Sequence, residues 1–482
     1  MKTSALIRMT TPINPVMDNA WLDTYYFFVP RRLVWEHWEE FMGENKTDAW
    51  TQTTEYTIPQ VTSPEGGWTK GTIAEKILGN MKRTESVDAC YFRAYALIFN
   101  EWFRNENITE PAEVPKGDAT TTGSNGTDYV VDLVKGGMPA KAVKYADYFT
   151  RALPEPQKGP DVYLPLGNTA PVIGIQSNNI PSYPTDTNLL NKQLANVKQN
   201  TSNSSILTLD GTYNQGDMTS IGLAADLSLA DGATINQLRQ AFAVQRMYEV
   251  DARGGTRYTE ILRAHFGVVS PDSRLQRPEY LGGKRTPINI TQVIQQSATN
   301  DVSPQGTAAA YSLTIDVHED FTKSFTEHGI IMGLCVIRTE HTYQQGLERR
   351  FSRRDRTDFY FPELSNIGEQ AIKNKELFVQ GNEEDDEVFG YQEAWAEYRY
   401  GINKVTGELN SDYDTPLDSW TYADDYESLP TLSDEWIRET DKHVARTLAI
   451  QNVDQWVANF YFDQTWIRPM PIYSIPQLTG WN

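Results

Sequence analysis

WLDTYYFFVPRRLVWEHWEEF, residues 21–41, places eight Trp, Tyr and Phe side chains in twenty-one positions. Leu22 to Val29 has the β-branched and aromatic content of a strand, with Tyr25, Phe27 and Val29 on one face and Tyr26 and Phe28 on the other. A strand apolar on both faces has to be covered on both, so this segment belongs in the centre of a fold. Pro30 stops it. The residues that follow predict a helix from about Leu33 to Met42, with Val34, Trp38, Phe41 and Met42 on one side and Glu36, Glu39 and Glu40 on another, closed by Gly43. On this reading Trp38 is a core residue and Trp35 meets an adjacent element or subunit.

The remaining chain is long enough, at 482 residues, to bury a large core. Apolar residues make up 39% and aromatic residues 11%, which excludes a disordered protein. The 25 Tyr and 12 Trp exceed what a core needs and suit protein–protein contact. A net charge of -21 opposes non-specific binding to phosphates, so any nucleic-acid contact must be local or carried by a basic partner. Cys90 and Cys335 have apolar neighbours and read as small buried hydrophobes. No signal peptide and no membrane-length apolar run is recognisable.

Thr3 to Met9 reads as an early strand ended by Thr-Pro. Val87, Tyr91, Ala94, Tyr95, Ile98 and Trp102 recur at helical spacing as one apolar stripe. A further helix begins at Thr234 with a capping-box pattern and runs to a stop at Gly254-Gly255, and Tyr258 to Phe266 predicts a shorter one. Residues 169–231 are rich in Asn, Ser, Thr, Gln and Gly and lose apolar periodicity, as a functional insertion does. Strands are expected at Ile288–Ile294, Tyr311–Val317 and Ile330–Ile337, with shorter ones at Phe359–Phe361 and Ala394–Tyr400. An aromatic and proline-rich run follows from Trp456 to Trp481, including Trp466. Strands near both ends with helices between them predict a mainly antiparallel β framework carrying insertions.

Motifs for chemistry are weak. Leu281–Thr286, LGGKRT, lacks the first glycine and the Ser/Thr of a phosphate loop and reads as a Gly-Gly turn before a strand. His318, Glu319, Asp320, Glu327 and His328 cluster in sequence, but a zinc-protease helix would need a histidine where Thr322 stands. Glu383–Glu387 lacks the alternating ligands of a calcium loop and reads as a charged surface loop. Leu347–Phe359, LERRFSRRDRTDF, is the strong basic cluster. Arg349, Arg350, Arg353, Arg354 and Arg356 are interleaved with Phe351, a pattern suited to gripping phosphate while a ring stacks on a base. Glu348, Asp355 and Asp358 supply the alternative of ion pairs within or between subunits.

Thr11–Asn45, TPINPVMDNAWLDTYYFFVPRRLVWEHWEEFMGEN, resembles the N-proximal block of gokushovirus major capsid proteins, the shell proteins of small icosahedral single-stranded DNA phages in the microvirus family. The resemblance continues through Gly254–Ile290, His341–Ile372, Glu387–Tyr400, Leu429–Ile437 and Phe462–Leu478, including HTYQQGLERRFSRRDRTDFYFPEL and FDQTWIRPMPIYSIPQL.

This resemblance implies an eight-stranded antiparallel viral jelly roll with large helix-containing and loop insertions, one domain over residues 1–482. It further implies self-assembly into a T=1 icosahedral shell around circular single-stranded DNA, no catalytic residues, and no cofactor or metal. The implied partners are other copies of the chain, encapsidated DNA, a small basic DNA-associated protein, a minor pilot protein and a host surface receptor, with no membrane. The location implied is the virion. Residues 169–231 correspond to a variable surface insertion at threefold axes. Family members carry more chain before Thr3, so the N-terminus is expected to be shorter than theirs. Trp21, Tyr25, Phe27, Trp35, Trp38, Phe41 and Trp466 are expected as core or interface aromatics. The rival function from composition alone is an acidic, aromatic-rich carbohydrate-binding protein or glycoside hydrolase.

Overall fold

The computed structural model describes residues 1–46, 55–79, 83–162, 234–297, 299, 301, 304–451 and 453–469, and the backbone of short strands within residues 172–225. The chain divides into two compact units, Met1–Lys158 with Glu249–Asn482, and Gly159–Tyr248. In the second unit Val172–Ile175 pairs antiparallel with Gly222–Ala225 and with Pro181–Ser182. Lys198–Asn200 pairs with Ser204–Ile206. The side chains of the 169–231 insertion lie outside the described residues.

The first unit is built on antiparallel strands: β1 (Lys2–Met9), β2 (Ala20–Pro30), β3 (Glu279–Pro287), β4 (Ile290–Ile294), β5 (Ala308–Ser312), β6 (Thr314–Glu319), β7 (Gly329–Thr339), β8 (Glu369–Lys373), β9 (Val388–Glu393) and β10 (Trp456–Asp463). They form three-stranded sheets in the orders β6-β1-β10 and β3-β2-β7, with β4-β5 and β8-β9 as two-stranded ladders. β7 pairs with β2 along its whole length, Thr339 opposite Ala20 and Gly329 opposite Pro30. β3 pairs with the other edge, with a register shift between Tyr280 and Gly282.

Both faces of β2 are covered, as the opening stretch requires. Ala20 and Leu22 join Ala5, Ile7 and Met9 of β1 in a cluster closed by Ile288, Tyr422, Val444 and Leu448. The Tyr26 hydroxyl and Thr3 Oγ1 share a 2.6 Å hydrogen bond between the two sheets. Phe27 and Val29 on the opposite face pack with Val34, Trp35, Ile330 and Met332 against Cys90, Ala94 and Ile98 of helix α1 (Cys90–Ile98). α1 turns its other side, with Phe92 and Ala96, into a further cluster containing Trp68, Ile73 and Leu133. A helix with two buried sides has little room for a polar stripe, yet it holds Arg93, whose guanidinium donates to Val34 O at 3.1 Å and Gly117 O at 3.0 Å.

Several sequence expectations change. The stripe predicted from Val87 to Trp102 becomes a helix only from Cys90: Val87 lies in the strand Ser86–Asp88, Tyr91 is exposed, and Trp102 sits in a π turn. The helix predicted over Leu33–Met42 is a 3-10 turn at Arg31–Leu33 followed by one α turn at Trp38–Phe41. Between them the Glu36 N–H donates to Lys116 O at 3.0 Å, a tertiary bond that takes this amide out of the helical ladder. Trp35 is consequently the core residue, with no exposed surface, and its Nε1 donates to Asp118 Oδ1 at 2.6 Å. Trp38 is half-buried and Phe41 exposed.

Phe359–Phe361 and Ala394–Tyr400 form no strands; 3-10 turns occupy Arg356–Asp358 and Ala396–Tyr398. The strand expected over Tyr311–Val317 is split at Leu313. Cys90 is buried, but Cys335 is exposed on β7, whose second edge carries no strand among the described residues. Leu281–Thr286 lies inside β3 instead of preceding a strand. Its glycines allow close approach: a Cβ at Gly282 would lie 2.5 Å from Asp320 O, and one at Gly283 would lie 2.0 Å from Thr24 O.

The helix from Thr234 is as predicted. It is α2 (Ile235–Gly254), where Gln237 N donates to Thr234 Oγ1 at 3.2 Å and Thr234 N donates to Gln237 Oε1 at 2.8 Å. Helix α3 (Tyr258–Phe266) ends at Gly267 in the left-handed conformation.

Trp35→Ala should cost about 3–5 kcal/mol in denaturant unfolding of the subunit, as a large-to-small change in a filled core. Trp38→Ala should cost roughly 1–2 kcal/mol, because part of its ring is already in water. Equal costs, or the reverse order, would contradict this assignment.

Candidate nucleic-acid interface and buried polar clusters

The basic segment folds as a string of turns, Arg349–Phe351, Arg356–Asp358 and Pro362–Leu364. Asp358 shapes the middle of it by accepting from Arg354 N at 2.7 Å and Asp355 N at 2.9 Å, and these bonds hold its carboxyl below the ordinary range. Trp395, in the left-handed region at φ 66°, anchors the far side: its indole donates to Leu364 O at 2.8 Å and its ring meets Tyr360 edge-on at 5.7 Å.

The five arginines separate into two kinds. Arg349 donates to Ala371 O at 2.9 Å and lies 3.8 Å from the buried Glu376. Arg353 pairs with Glu397 at 3.1 Å and stacks over Tyr398 at 4.5 Å and Phe359 at 5.2 Å. These two hold the loop to β8 and to the turn after β9. Arg350, Arg354 and Arg356 are exposed. Arg350 pairs with Glu348 at 2.5 Å and lies over Phe351 at 4.9 Å. Arg356 lies over Phe361 at 5.0 Å, and no carboxylate among the described residues pairs with Arg354. Phe351, Phe359 and Tyr360 are all exposed beside them. Guanidinium groups alternating with partly exposed rings can accept phosphates and stacked bases without reading sequence.

The other expected aromatics divide in the same way. Phe27 is buried. Tyr25 is partly buried, packs edge-on against Phe103 at 5.1 Å and accepts from Arg338 at 2.8 Å. Trp21 donates to Glu340 Oε1 at 3.1 Å at the end of β2. Trp466 is exposed, under Arg468 at 4.7 Å.

The histidine-carboxylate cluster read from sequence does not converge. His318 is held between Asp316 at 2.7 Å and Asp320 at 2.8 Å, whereas Glu319 pairs with Lys2 and Glu327 with Arg32. Among the described residues no group of His, Cys, Asp and Glu has metal-binding geometry. In the acidic run, Asp386 takes Lys373 and Lys375, and Asp385 accepts from Gln380 N and Gly381 N, so it closes a loop.

The sequence reading missed two buried networks whose members lie far apart in the chain. Under β2, Asp23 accepts from Arg285 at 2.8 Å and Tyr145 at 2.7 Å, and also pairs with Arg338. Both guanidinium groups lie over the Tyr145 ring, at 4.3 and 4.2 Å. Burial pushes the Asp23 carboxyl up, but these donors outweigh it and leave it below its ordinary value. Beyond the end of β7, His341 Nδ1 bonds Asp424 at 2.7 Å, with Glu439 at 3.4 Å from Nε2 and Lys144 at 3.9 Å from Asp424. His443 bonds Thr339 Oγ1 at 2.8 Å. Burial would lower His341, yet Asp424 and Glu439 raise it to about 9; burial lowers His443 to about 4, with His341 adding to the effect. The pair therefore consists of one imidazolium and one neutral imidazole at neutral pH.

The described residues thus combine antiparallel sheets, an exposed arginine-aromatic surface and buried ion networks that hold loops together. The family model described as Capsid protein (F protein) matches residues 1–478. Capsid protein VP1 of Bdellovibrio phage phiMH2K is 41% identical, over 100% of this chain and 89% of that protein. Capsid protein VP1 of Spiroplasma virus 4 is also 41% identical, over 99% and 89%, and that of Chlamydia phage 1 is 37% identical, over 98% and 89%. The chain belongs to the phage F-type capsid protein family, in its gokushovirus branch. It is a major capsid protein and a component of the virion, not an enzyme, which sets the carbohydrate-active alternative aside. Among the described residues no helix is long and apolar enough to cross a membrane.

The histidine pair contributes to the pH dependence of subunit stability. His341 has a folded-state value, about 9, above its unfolded value near 6.5, so its contribution is complete below about 6.5 and is lost as pH rises toward 9. The span corresponds to about 3 kcal/mol at most. His443 acts in the opposite sense, its contribution being present above about 6.5 and lost as pH falls toward 4. Denaturant unfolding at pH 6, 7.5 and 9 should show stability declining on the alkaline side in the parent protein, and His341→Gln should flatten that decline. An unchanged alkaline slope in the variant would refute the assignment.

Proposed function

We propose that this capsid protein closes a T=1 icosahedral shell around circular single-stranded DNA, and that Arg350, Arg354 and Arg356, with the neighbouring rings, form a sequence-tolerant contact to that genome. The observation that carries the second part is the separation of the cluster into anchored and exposed arginines. Arg349 and Arg353 are committed to Glu376 and Glu397, whereas the other three reach solvent beside the exposed Phe351, Phe359 and Tyr360, with Arg350 also paired to Glu348. With a net charge of -21 this patch cannot neutralise a genome alone. Most phosphates then fall to other cations, and a small basic DNA-associated protein fits that need. A minor pilot protein is the other proposed virion partner.

The eight-stranded jelly roll is the architecture we assign to the framework. It is supported by the nested pairing of β1 with the last strand, β10, and of β2 with β7, and by the shared cluster between the two sheets. Residues 169–231 are proposed as a surface insertion at the threefold axes that meets the host receptor. Exposed apolar side chains outside the sheets, including Phe266 at the end of α3 and Val268 and Val269 after it, are available for contacts between copies.

Particles carrying Arg350→Gln, Arg354→Gln and Arg356→Gln together should form in parental yield but package less than half the parental DNA, read as the 260/280 nm ratio of sedimented particles. Parental DNA content would refute the genome contact, and loss of particles would assign these arginines to subunit interfaces instead.

A further inference from the structure

The first turn of α3 is fastened by a knot of side chains in which two carboxylates meet one cation. Glu106, in the loop after the π turn Phe99–Phe103, and Glu260, on α3, reach the same nitrogen of Arg257. Its Nη1 lies 2.7 Å from Glu106 Oε1 and 3.1 Å from Glu260 Oε1. The guanidinium has no capacity left over, because Nη2 donates to Asn100 O at 2.7 Å and to Arg104 O at 2.8 Å. Glu106 Oε2 accepts from Thr256 N at 3.0 Å and Thr256 Oγ1 at 2.8 Å, and Glu260 Oε2 accepts from Arg257 N at 3.2 Å. These bonds tie the start of α3 to residues 100–106. The Glu106 side chain is only 9% exposed and that of Glu260 33%.

Two carboxylates on one guanidinium leave a negative charge without a partner, and partial burial makes that charge costly. The groups around the knot do not supply the missing cation. Arg277 faces Glu101 of the π turn at 3.8 Å and Asp272 at 3.5 Å, and donates to Thr259 Oγ1 at 2.9 Å. Arg104 donates to Thr109 O at 3.0 Å and makes no ion pair among the described residues. Arg263, one turn beyond Glu260, is exposed and likewise pairs with no carboxylate among them. Arg438 takes Asp434 at 2.9 Å and lies over Tyr129 at 4.0 Å, and His265 takes Asp251 at 2.8 Å, so these groups are satisfied among themselves. A proton held between Glu106 and Glu260 removes the excess charge and turns repulsion into a hydrogen bond. Burial and Glu106 push the Glu260 carboxyl up to about 7. Burial pushes Glu106 up as well, but Glu260, Thr256 and Arg257 outweigh it and leave Glu106 below its ordinary value. The proton belongs to the pair.

We propose that Glu106 and Glu260 share one proton and form a latch that docks α3 onto the π turn on the acid side and releases it on the alkaline side. Glu260 has a folded-state value above its unfolded one, 4.5, so its contribution is complete below about 4.5 and is lost as pH rises through 7. α3 ends at Phe266, with Val268 and Val269 after it, and all three are exposed, so the latch sets where this apolar end lies. That last consequence rests on the reading of these side chains as contacts between copies; the latch itself does not.

Hydrogen exchange of the full chain at pH 6 and pH 8, corrected for the intrinsic pH dependence of amide exchange, tests the latch. From pH 6 to pH 8 the protection of the Ile261–Phe266 amides should fall about tenfold further than that of the α1 amides, which report any loss of global stability. Glu260→Gln keeps an acceptor for Arg257 N and cannot ionise, so its α3 amides should follow those of α1 within about twofold. Glu106→Gln leaves Arg257 to Glu260 alone and should do the same. An α3 fall no larger than that of α1 in the parent protein, or an excess fall that persists in either variant, would overturn the latch.

Discussion

β2 is enclosed on four sides. β3 and β7 satisfy its two edges, β1 covers one face and α1 the other. Leu22, Phe27, Val29 and their neighbours each contribute about 1.5–3 kcal/mol by leaving water. The strand's single carboxylate, Asp23, survives there because two guanidinium groups and a tyrosine hydroxyl are gathered around it. Removing one partner from such a network leaves an uncompensated buried charge, which costs far more than the network contributes against an apolar replacement. The elements that supply those partners, residues 145, 285 and 338, are thereby held to one position relative to β2.

From that strand the rest of the subunit follows in layers. α1 lies between the β2 cluster and the Trp68–Leu133 cluster, so the segment carrying it is joined to the framework through a shared hydrophobic wall. The His341–Asp424 pair joins the end of β7 to the C-terminal loops in the same manner, through charge instead of area. Outside these devices Arg350, Arg354 and Arg356, alternating with rings in residues 347–359, remain exposed.

What the sequence disclosed was local. The double-faced apolar run at Tyr25–Val29 required burial on both sides, and Thr234 with Gln237 marked a helix start, because the signals lie within a few residues of each other. The family resemblance was equally legible, since its motifs are long ordered blocks. What stayed hidden depends on residues distant in the chain. Lys116 interrupts a helix eighty residues before it, at Glu36, and thereby exchanges the roles of Trp35 and Trp38. Glu376 and Glu397 decide which arginines of the basic cluster are anchored to the framework. The alternation in β6 was visible, but only the location of β1 says that its polar side points inward.

The enclosure of β2 is tested most directly by native-state hydrogen exchange on the isolated subunit. If the account holds, the amides of Leu22–Val29 exchange only through global unfolding, with free energies equal to that from denaturant melts and at least as high as those of α1. Exchange of these amides through local opening, several kcal/mol below the global value while α1 stays protected, would contradict it.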